Sequence, residues 1–244
     1  MSFYALAVYC ATVFVLVAAQ DLELPVQTCK RDASDYTSCL RLAMQEAWPN
    51  FVAGIPKLDL PPLDPYFLEY QHTEYETGDL RADVTVKNVN IYGLSKITFL
   101  AVRPHHSDNA FRLEVDLELP KMLIEGNFKA NGAYGALQIG GEGSFNISLE
   151  DIKDTWFMEG PVANDIWTLE HFRLTPEIGK MTVWFSDMFN GNEQLNNIAL
   201  NFVNENWPSL YREMLPFLSK NLDDYLTEVA NRIFSKVSFS KTFP

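Results

Sequence analysis

Apolar residues change their spacing once along this chain, and that change restricts the fold more than any other feature. From Tyr66 to about Asp187 they tend to recur at every second position, and from Glu193 to Val237 at helical spacing. The first period belongs to β-strands with one dry face, the second to a long amphipathic helix. In "FRLEVDLELP", residues 111–120, Phe111, Leu113, Val115, Leu117 and Leu119 alternate with Arg112, Glu114, Asp116 and Glu118. "LRADVTV" places Leu80, Ala82, Val84 and Val86 on one face, and "LSKITFLAV", "KMLIEGNFKA" and "AYGALQIGGEGSFNISLEDI" continue the run. The links are short, which predicts antiparallel pairing, because parallel strands need long crossovers. Asn131-Gly132 and Gly140-Gly141 have turn chemistry and are expected to close hairpins or bulges.

The terminal helical segment carries Leu195, Ile198, Phe202, Leu210, Met214, Phe217, Leu218, Tyr225, Val229, Ile233 and Phe234 on one side. Pro208 and Pro216 are expected to bend it. An earlier helix is expected to start near Ser34 or Asp35, with Leu40, Met44, Trp48, Phe51 and Ile55 as its stripe. Pro49 should kink or interrupt it and Gly54 should end it. The prolines of "IPKLDLPPLDP" then predict an extended connector. The order is helix, many antiparallel strands, long helix, which is an α+β pattern. A single helix offers a narrow apolar stripe and the strands a broad one. The sheet can bury its dry face only by curving strongly around the helix.

The first 19 residues read as a signal peptide. "MSFYALAVYCATVFVLVAAQ" has no charged side chain, an apolar run from Phe3 to Val17, and small residues Val17 and Ala19 before a cleavage point at Gln20. The n-region lacks Lys or Arg, and an uncleaved anchor is the alternative, though the run is short for a membrane span. Residues 20–244 are expected to form a single extracellular domain, with no stable membrane insertion. Cys29 and Cys39 remain after removal of Cys10, and two nearby thiols in a secreted chain are expected to pair. Such a loop contributes roughly 2–3 kcal/mol. Asn146-Ile147-Ser148 is an N-glycosylation sequon, and the alternation of "SFNISLEDI" puts Asn146 on the wet face.

Acidic residues outnumber basic ones 32 to 19, for a formal charge of −13. No Lys/Arg cluster offers a footprint for phosphate, which argues against nucleic acid and against anionic membrane surfaces. The hydrophobic fraction of 47% suits a substantial core. Catalytic signatures are missing: there is no G-x-S-x-G elbow and no H-E-x-x-H helix. Gly140, Gly141 and Gly143 lack the residues of a phosphate loop. Adjacent His105 and His106 point oppositely in what reads as an exposed turn, so no metal site is expected; His72 and His171 have no evident partners. Glu114, Asp116 and Glu118 share a strand face and read as a solvated surface. No enzyme activity and no cofactor are expected.

Several segments together have a familiar order. Cys29 and Cys39 flank "KRDASDYTS"; "GIPKLDLPPLDP", "IYGLSKITF" and "LELPKMLIEGNFKANGAYGALQIGGEGSFNISLEDI" follow; "NFVNENWPSLYREMLPFLSKNLDDYLTEVANRIFSKV" fills the C-terminus, which closes on "TFP". The chain resembles the takeout / juvenile hormone-binding protein family of insects over essentially its whole mature length. The resemblance implies a tubular lipid-binding fold, with an apolar tunnel between sheet and helix, and a secreted, monomeric carrier of a small hydrophobic ligand such as a terpenoid hormone, a long-chain lipid or an odorant-like molecule. No cysteine follows Cys39, which favours a takeout-like member, and Phe128 stands in "GNF" where the family often has Tyr. Expected tunnel-lining residues are Trp48, Phe51, Leu94, Ile97, Phe99, Leu123, Phe128, Leu137, Ile139, Phe202, Leu210, Met214, Phe217 and Tyr225. Alternatives within the same fold are an extracellular signalling module or an antimicrobial-like module that binds lipid surfaces.

Overall fold

The computed structural model describes residues 24–77, 80–135 and 137–244. The expected signal peptide and its cleavage point lie outside the described residues. Helix α1 spans Tyr36–Val52 and is followed by a short 3-10 turn at Pro56–Leu58. The strands are β1 (Tyr66–Thr77), β2 (Leu80–Tyr92), β3 (Thr98–His106), β4 (Ala110–Tyr134), β5 (Leu137–Ala163), β6 (Ile166–Trp167), β7 (His171–Leu174) and β8 (Glu177–Phe185). Helix α2 runs over Glu193–Phe234, and a short α3 over Phe239–Thr242 closes the chain. All strand pairs are antiparallel. The architecture is a curled antiparallel half-barrel with a long C-terminal helix, as the change of period predicts.

Strands β4 and β5, of 25 and 27 residues, are the spine. They pair from Ala110↔Pro161 to Tyr134↔Leu137, so Asn131-Gly132 and Gly140-Gly141 lie inside the ladder rather than in turns. These glycines serve close approach instead. A Cβ on Gly132 would lie 2.3 Å from the Arg81 carbonyl oxygen, and one on Gly141 would lie 2.5 Å from that of Asp187. The hairpin closes at Gly135, whose φ is +57°. Asn164 and Asp165, both at positive φ, join β5 to β6 in the two-residue manner of a mirror-image turn.

A crease crosses the sheet. The core-facing positions of β4 are odd-numbered up to Leu119 and even-numbered from Met122, and β5 and β8 switch the same way between Leu149 and Ile152 and between Ile178 and Met181. The breaks lie side by side, because Leu119 pairs with Ile152 and Ile152 with Ile178. Pro120 has no N–H to give, Asp151 takes φ +54°, and a Cβ on Gly179 would meet that of Asp151 at 2.8 Å. The crease divides the sheet into an end covered by α1 and α3 and an end that carries the β4–β5 hairpin.

At the α1 end the five apolar residues of "FRLEVDLELP" are all buried, as their alternation predicts. They pack with Leu40, Phe99, Trp167, Phe239 and Phe243 in one core. The Cys29–Cys39 disulfide forms and pins the entry to α1. The C-terminus returns to it: Arg31 donates from Nε to the Phe243 carbonyl at 2.6 Å and from its backbone N–H to that of Pro244 at 2.9 Å. Asp35 precedes α1 as expected, and Gly54, at φ +85°, follows it. Pro49 lies in the last turn, and the helix continues through it to Val52. The connector is held by Asp64, whose carboxylate accepts from the backbone N–H groups of Gly93 and Ser95. Glu114 and Asp116 lie on the outer face and pair with Arg103, which holds the Asp116 carboxyl below the ordinary range.

Candidate functional site

A sheet that curls without closing leaves edge strands whose backbone groups need partners. Here helical side chains supply many of them. On the β3 edge, Gln45 of α1 accepts from the Phe99 N–H at 2.8 Å and donates to the Ile97 carbonyl at 3.3 Å, and the Trp48 indole donates to the Leu94 carbonyl at 2.8 Å. On the opposite edge, α2 does the same along its length. Asn204 accepts from the Val183 N–H and donates to the Val183 carbonyl, both at 2.8 Å. Asn231 makes the same two-bond contact with Leu169, at 2.7 and 2.9 Å. Between them, Tyr211 donates to the Pro176 carbonyl and Asp223 accepts from the Phe172 N–H at 2.7 Å and binds His171 Nδ1 at 2.8 Å. Near the start of α2, the buried Asn196 bonds the backbone of Phe185, Ser186 and Met188.

The helix also reaches β1, at the far edge. The Tyr225 hydroxyl bonds that of Tyr66, and burial pushes the Tyr225 phenol upward. Phe217 packs edge-to-face on Tyr75 with ring centroids 4.7 Å apart. One helix therefore touches both edges of the half-barrel and faces its concave side.

At the hairpin end the concave side is apolar, and its residues are less deeply buried than those of the α1 end. Val84, Val86, Ile124, Phe145, Ile147 and Val183 of the sheet are half-buried, and so are Leu200, Val203, Trp207 and Leu210 of α2. Of the 42 residues of α2 only Asn196 and Ala230 are fully buried. Two open hollows accompany this region. One of about 260 Å³ is lined by Ile139, Phe189 and Leu195 beside Asn131 and Gln138 at the hairpin tip. The other, of about 330 Å³, lies on the outer face. Neither is an enclosed bore.

The residues expected to line a tunnel are distributed unevenly. Trp48, Phe51, Leu94, Ile97 and Phe99 belong to the α1 end. Trp48 packs on Phe99, Phe51 and Trp156, and Ile97 and Phe99 are fully buried. Leu123 lies between Tyr92 and Ser148 in register, on the face opposite Met122. Phe128 is buried near Phe145, and Ile139 lines the tip hollow. Leu137 pairs with Tyr134, and its side chain lies outside the described residues. On α2, Leu210 is half-buried, Phe217 and Tyr225 meet β1, and Met214 is more exposed. Phe202 is 56% exposed and lies, like Ile198, on the side of the helix turned away from β8. The periodic pattern ranked these two as core, whereas the residues that fix the helix are the asparagines and Asp223. No spacing singles these asparagines out, because α2 also carries Asn197, Asn201, Asn206 and Asn221, the last two of which bond carbonyls of the helix itself. Asn204→Ala is expected to cost about 1 kcal/mol in urea unfolding, since it frees two edge groups that water reaches only in part, and Phe202→Ala less than half of that. The reverse order would contradict this assignment.

One inner-facing group is a carboxyl. Asp154 follows Ile152 and precedes Trp156 and Met158 on the concave face of β5, and its Oδ1 accepts from the Thr175 N–H at 2.8 Å. Burial pushes it up to about 6 despite that bond. Tyr211 of α2 is close enough for the Asp154 charge, together with burial, to raise its phenol as well. Elsewhere, His72, Glu74 and Asp83 are clustered on the exposed side of β1 and β2, and His106 bonds the Tyr36 hydroxyl at 3.1 Å.

The comparisons with known proteins agree with this architecture. The Takeout 1 crystal structure from Epiphyas postvittana superposes with a TM-score of 0.69 at 20% identity, covering 89% of this chain and 99% of that one. The circadian clock-controlled protein daywake of Drosophila melanogaster is 19% identical over 236 residues, 93% of this chain and 90% of that protein. A putative beta-carotene-binding protein of Schistocerca gregaria is 23% identical over 225 residues, 90% of this chain and 88% of that protein. The model of the haemolymph juvenile hormone binding protein (JHBP) family matches residues 7–244, and with the half-barrel and its edge-bridging helix this places the chain in the JHBP family.

Proposed function

We propose that this protein is a secreted, monomeric carrier that holds one small lipophilic molecule between α2 and the concave face of the sheet, without catalysis and without a cofactor. The observation that carries the reading is the contrast between the two ends of the sheet. At the α1 end, Phe111, Leu113, Val115, Leu117 and Leu119 are all buried by the protein's own side chains. At the hairpin end, apolar residues of the sheet and of α2 face one another and stay partly accessible on both sides. Surface of that kind is the usual lining of a ligand site. The name of the locust relative, a putative beta-carotene-binding protein, supports an apolar ligand class. The apolar N-terminal segment, the disulfide and the haemolymph description of the family support export. The formal charge of −13 argues against an antimicrobial-like role at anionic lipid.

A ligand that hides ~400 Å² of apolar surface gains about 10 kcal/mol at ~25 cal/mol/Å². Association costs roughly 4–15 kcal/mol, so at the low end of that cost about 6 kcal/mol remains, a Kd of roughly tens of micromolar that polar contacts and a preformed site tighten. The deciding experiment is extraction of the natively purified protein with organic solvent followed by mass spectrometry. A stoichiometric apolar molecule is the expected result; its repeated absence, together with no uptake of an apolar fluorescent probe, overturns the proposal. Ile147→Trp, which adds volume on the concave face, is expected to weaken probe binding at least about tenfold, or 1.4 kcal/mol, while leaving the melting temperature within a few degrees. Unchanged affinity in the folded variant would place the ligand elsewhere.

A further inference from the structure

Asn146, the acceptor residue of the sequon, lines the outer hollow. Asn146 lies directly opposite Glu125 on one side and Trp184 on the other, so these side chains share one face of the sheet. Directly paired residues hold their Cβ atoms about 5 Å apart. Trp184 is 45% exposed on the outer face of the edge strand β8, where a large indole is left open to solvent. The hollow of about 330 Å³ around it is lined by Asn88, Asn90, Asn127 and Ser144 as well as Glu125, which accepts from the Tyr92 hydroxyl at 3.2 Å. An exposed aromatic plane on one side of Asn146, with amides and a carboxylate on the other, offers an apolar face and many hydrogen-bonding groups together. A pyranose ring has the matching chemistry, with C–H groups on its face and hydroxyls on its rim.

Ser148 gives a second, independent observation. Its hydroxyl is buried in the folded chain and has no hydrogen-bond partner among the described residues. A buried hydroxyl without a partner costs stability, and an alanine would serve the fold better. The hydroxyl is, however, what the sequon requires at this position, and it is read on the extended chain before β5 is paired.

From this geometry we infer that Asn146 carries an N-linked glycan whose first N-acetylglucosamine stacks on Trp184 and bonds the amide-lined groove, so that this outer face is a built seat for the protein's own sugar. Phe145 and Ile147 point the other way, into the concave side, so the seat and the proposed ligand site occupy opposite faces of the same strand. The inference rests on export of the chain and not on the identity of the ligand.

The test uses the full chain expressed in insect cells. Peptide mass spectrometry of the secreted protein is expected to find hexosamine on Asn146. Oxidation of Trp184 by N-bromosuccinimide is then compared between the glycoprotein, the same protein trimmed to a single N-acetylglucosamine, and Asn146→Gln, with Trp207 as internal reference. Trp184 is expected to react several-fold more slowly in both sugar-bearing forms than in Asn146→Gln. Removal of the sugar is expected to lower the melting temperature by about 2 °C, the shift one aromatic contact produces in a domain of this size. In Trp184→Ala that shift should vanish. A secreted protein with unmodified Asn146, or an occupied Asn146 with Trp184 as reactive as in Asn146→Gln, overturns the inference. Retention of the wild-type chain in the cytosol would overturn it too, and would separately remove the export reading; a failure confined to the seat leaves secretion and probe binding intact.

Discussion

Phe111→Ala is expected to destabilise the protein by about 3–5 kcal/mol, more than any other single truncation considered, because it empties the point where four segments meet. Phe111 is 1% exposed. Its ring centroid lies 4.6 Å from that of His106, 4.7 Å from Phe243, 4.9 Å from Trp167 and 5.2 Å from Phe239. These rings belong to β3, the chain end, β6 and α3, so a cavity here loosens the clamp that ties the C-terminus to the disulfide loop. Trp167→Phe is the control. It changes a side chain just as deeply buried, but the Trp167 indole N–H has no hydrogen-bond partner among the described residues, so only shape is lost and about 1 kcal/mol is expected. Urea denaturation of ligand-extracted protein checks both, since a bound molecule would raise apparent stability by mass action. A Phe111→Ala midpoint no lower than that of Trp167→Phe would show that the aromatic cluster does not hold this end of the sheet together.

Phe111 also shows what was legible. It stands in the cleanest alternating stretch of the chain, and alternation is a local property that fixes a buried face without any knowledge of partners. The period change likewise located α2, because a 42-residue helix repeats its signal many times. Three features were hidden for physical reasons. The glycines at 132, 140 and 141 have the composition of turns, yet they are small because other backbones pass close to them, and sequence does not distinguish the two causes. The crease at Pro120, Asp151 and Gly179 exists only in register, as one break shared by three strands far apart in sequence. Hydrophobic periodicity was also blind to Asn196, Asn204, Asp223 and Asn231, because it scores polar residues as outward-facing. They face the sheet here because an open sheet edge presents polar backbone, and an amide or carboxylate answers that edge better than a leucine does. The candidate site was the least legible part: whether facing apolar residues meet or stay apart depends on the curvature of the sheet.

Asp154→Asn is expected to stabilise the protein by about 2 kcal/mol at neutral pH and to have almost no effect near pH 4. The carboxyl titrates at about 6 in the folded chain against an ordinary 3.8, with burial as the largest cause. The backbone N–H groups of Thr175 and Thr155 and the Trp156 side chain favour the charged form, but they do not offset the loss of water. Below the ordinary value both folded and unfolded chains hold the proton, and the group costs nothing. As pH rises from about 4 to about 6 the unfolded chain releases its proton first, so stability falls across that window, and above it the full penalty remains. The interval from 3.8 to about 6 corresponds to roughly 3 kcal/mol, reduced to about 2 kcal/mol because water reaches part of the side chain. Asparagine keeps an acceptor for Thr175 and carries no charge, so its stability should stay level over the same range relative to wild type. Contributions of the other ionisable groups act equally on both proteins and cancel in the difference. Urea midpoints at half-unit steps from pH 4 to 8 measure it, and parallel curves would mean that Asp154 is solvated like any surface carboxylate. If the curves diverge, the concave face carries, beside Trp156 and opposite Tyr211, a polar group retained at a cost in stability, which the fold alone does not require. Asp154 pairs with Leu117, across the crease from the apolar face proposed for the ligand, so probe affinity measured on the same samples should show the same pH dependence in wild type and Asp154→Asn; a fall in affinity above about pH 6 in wild type alone would extend the ligand site across the crease to Asp154.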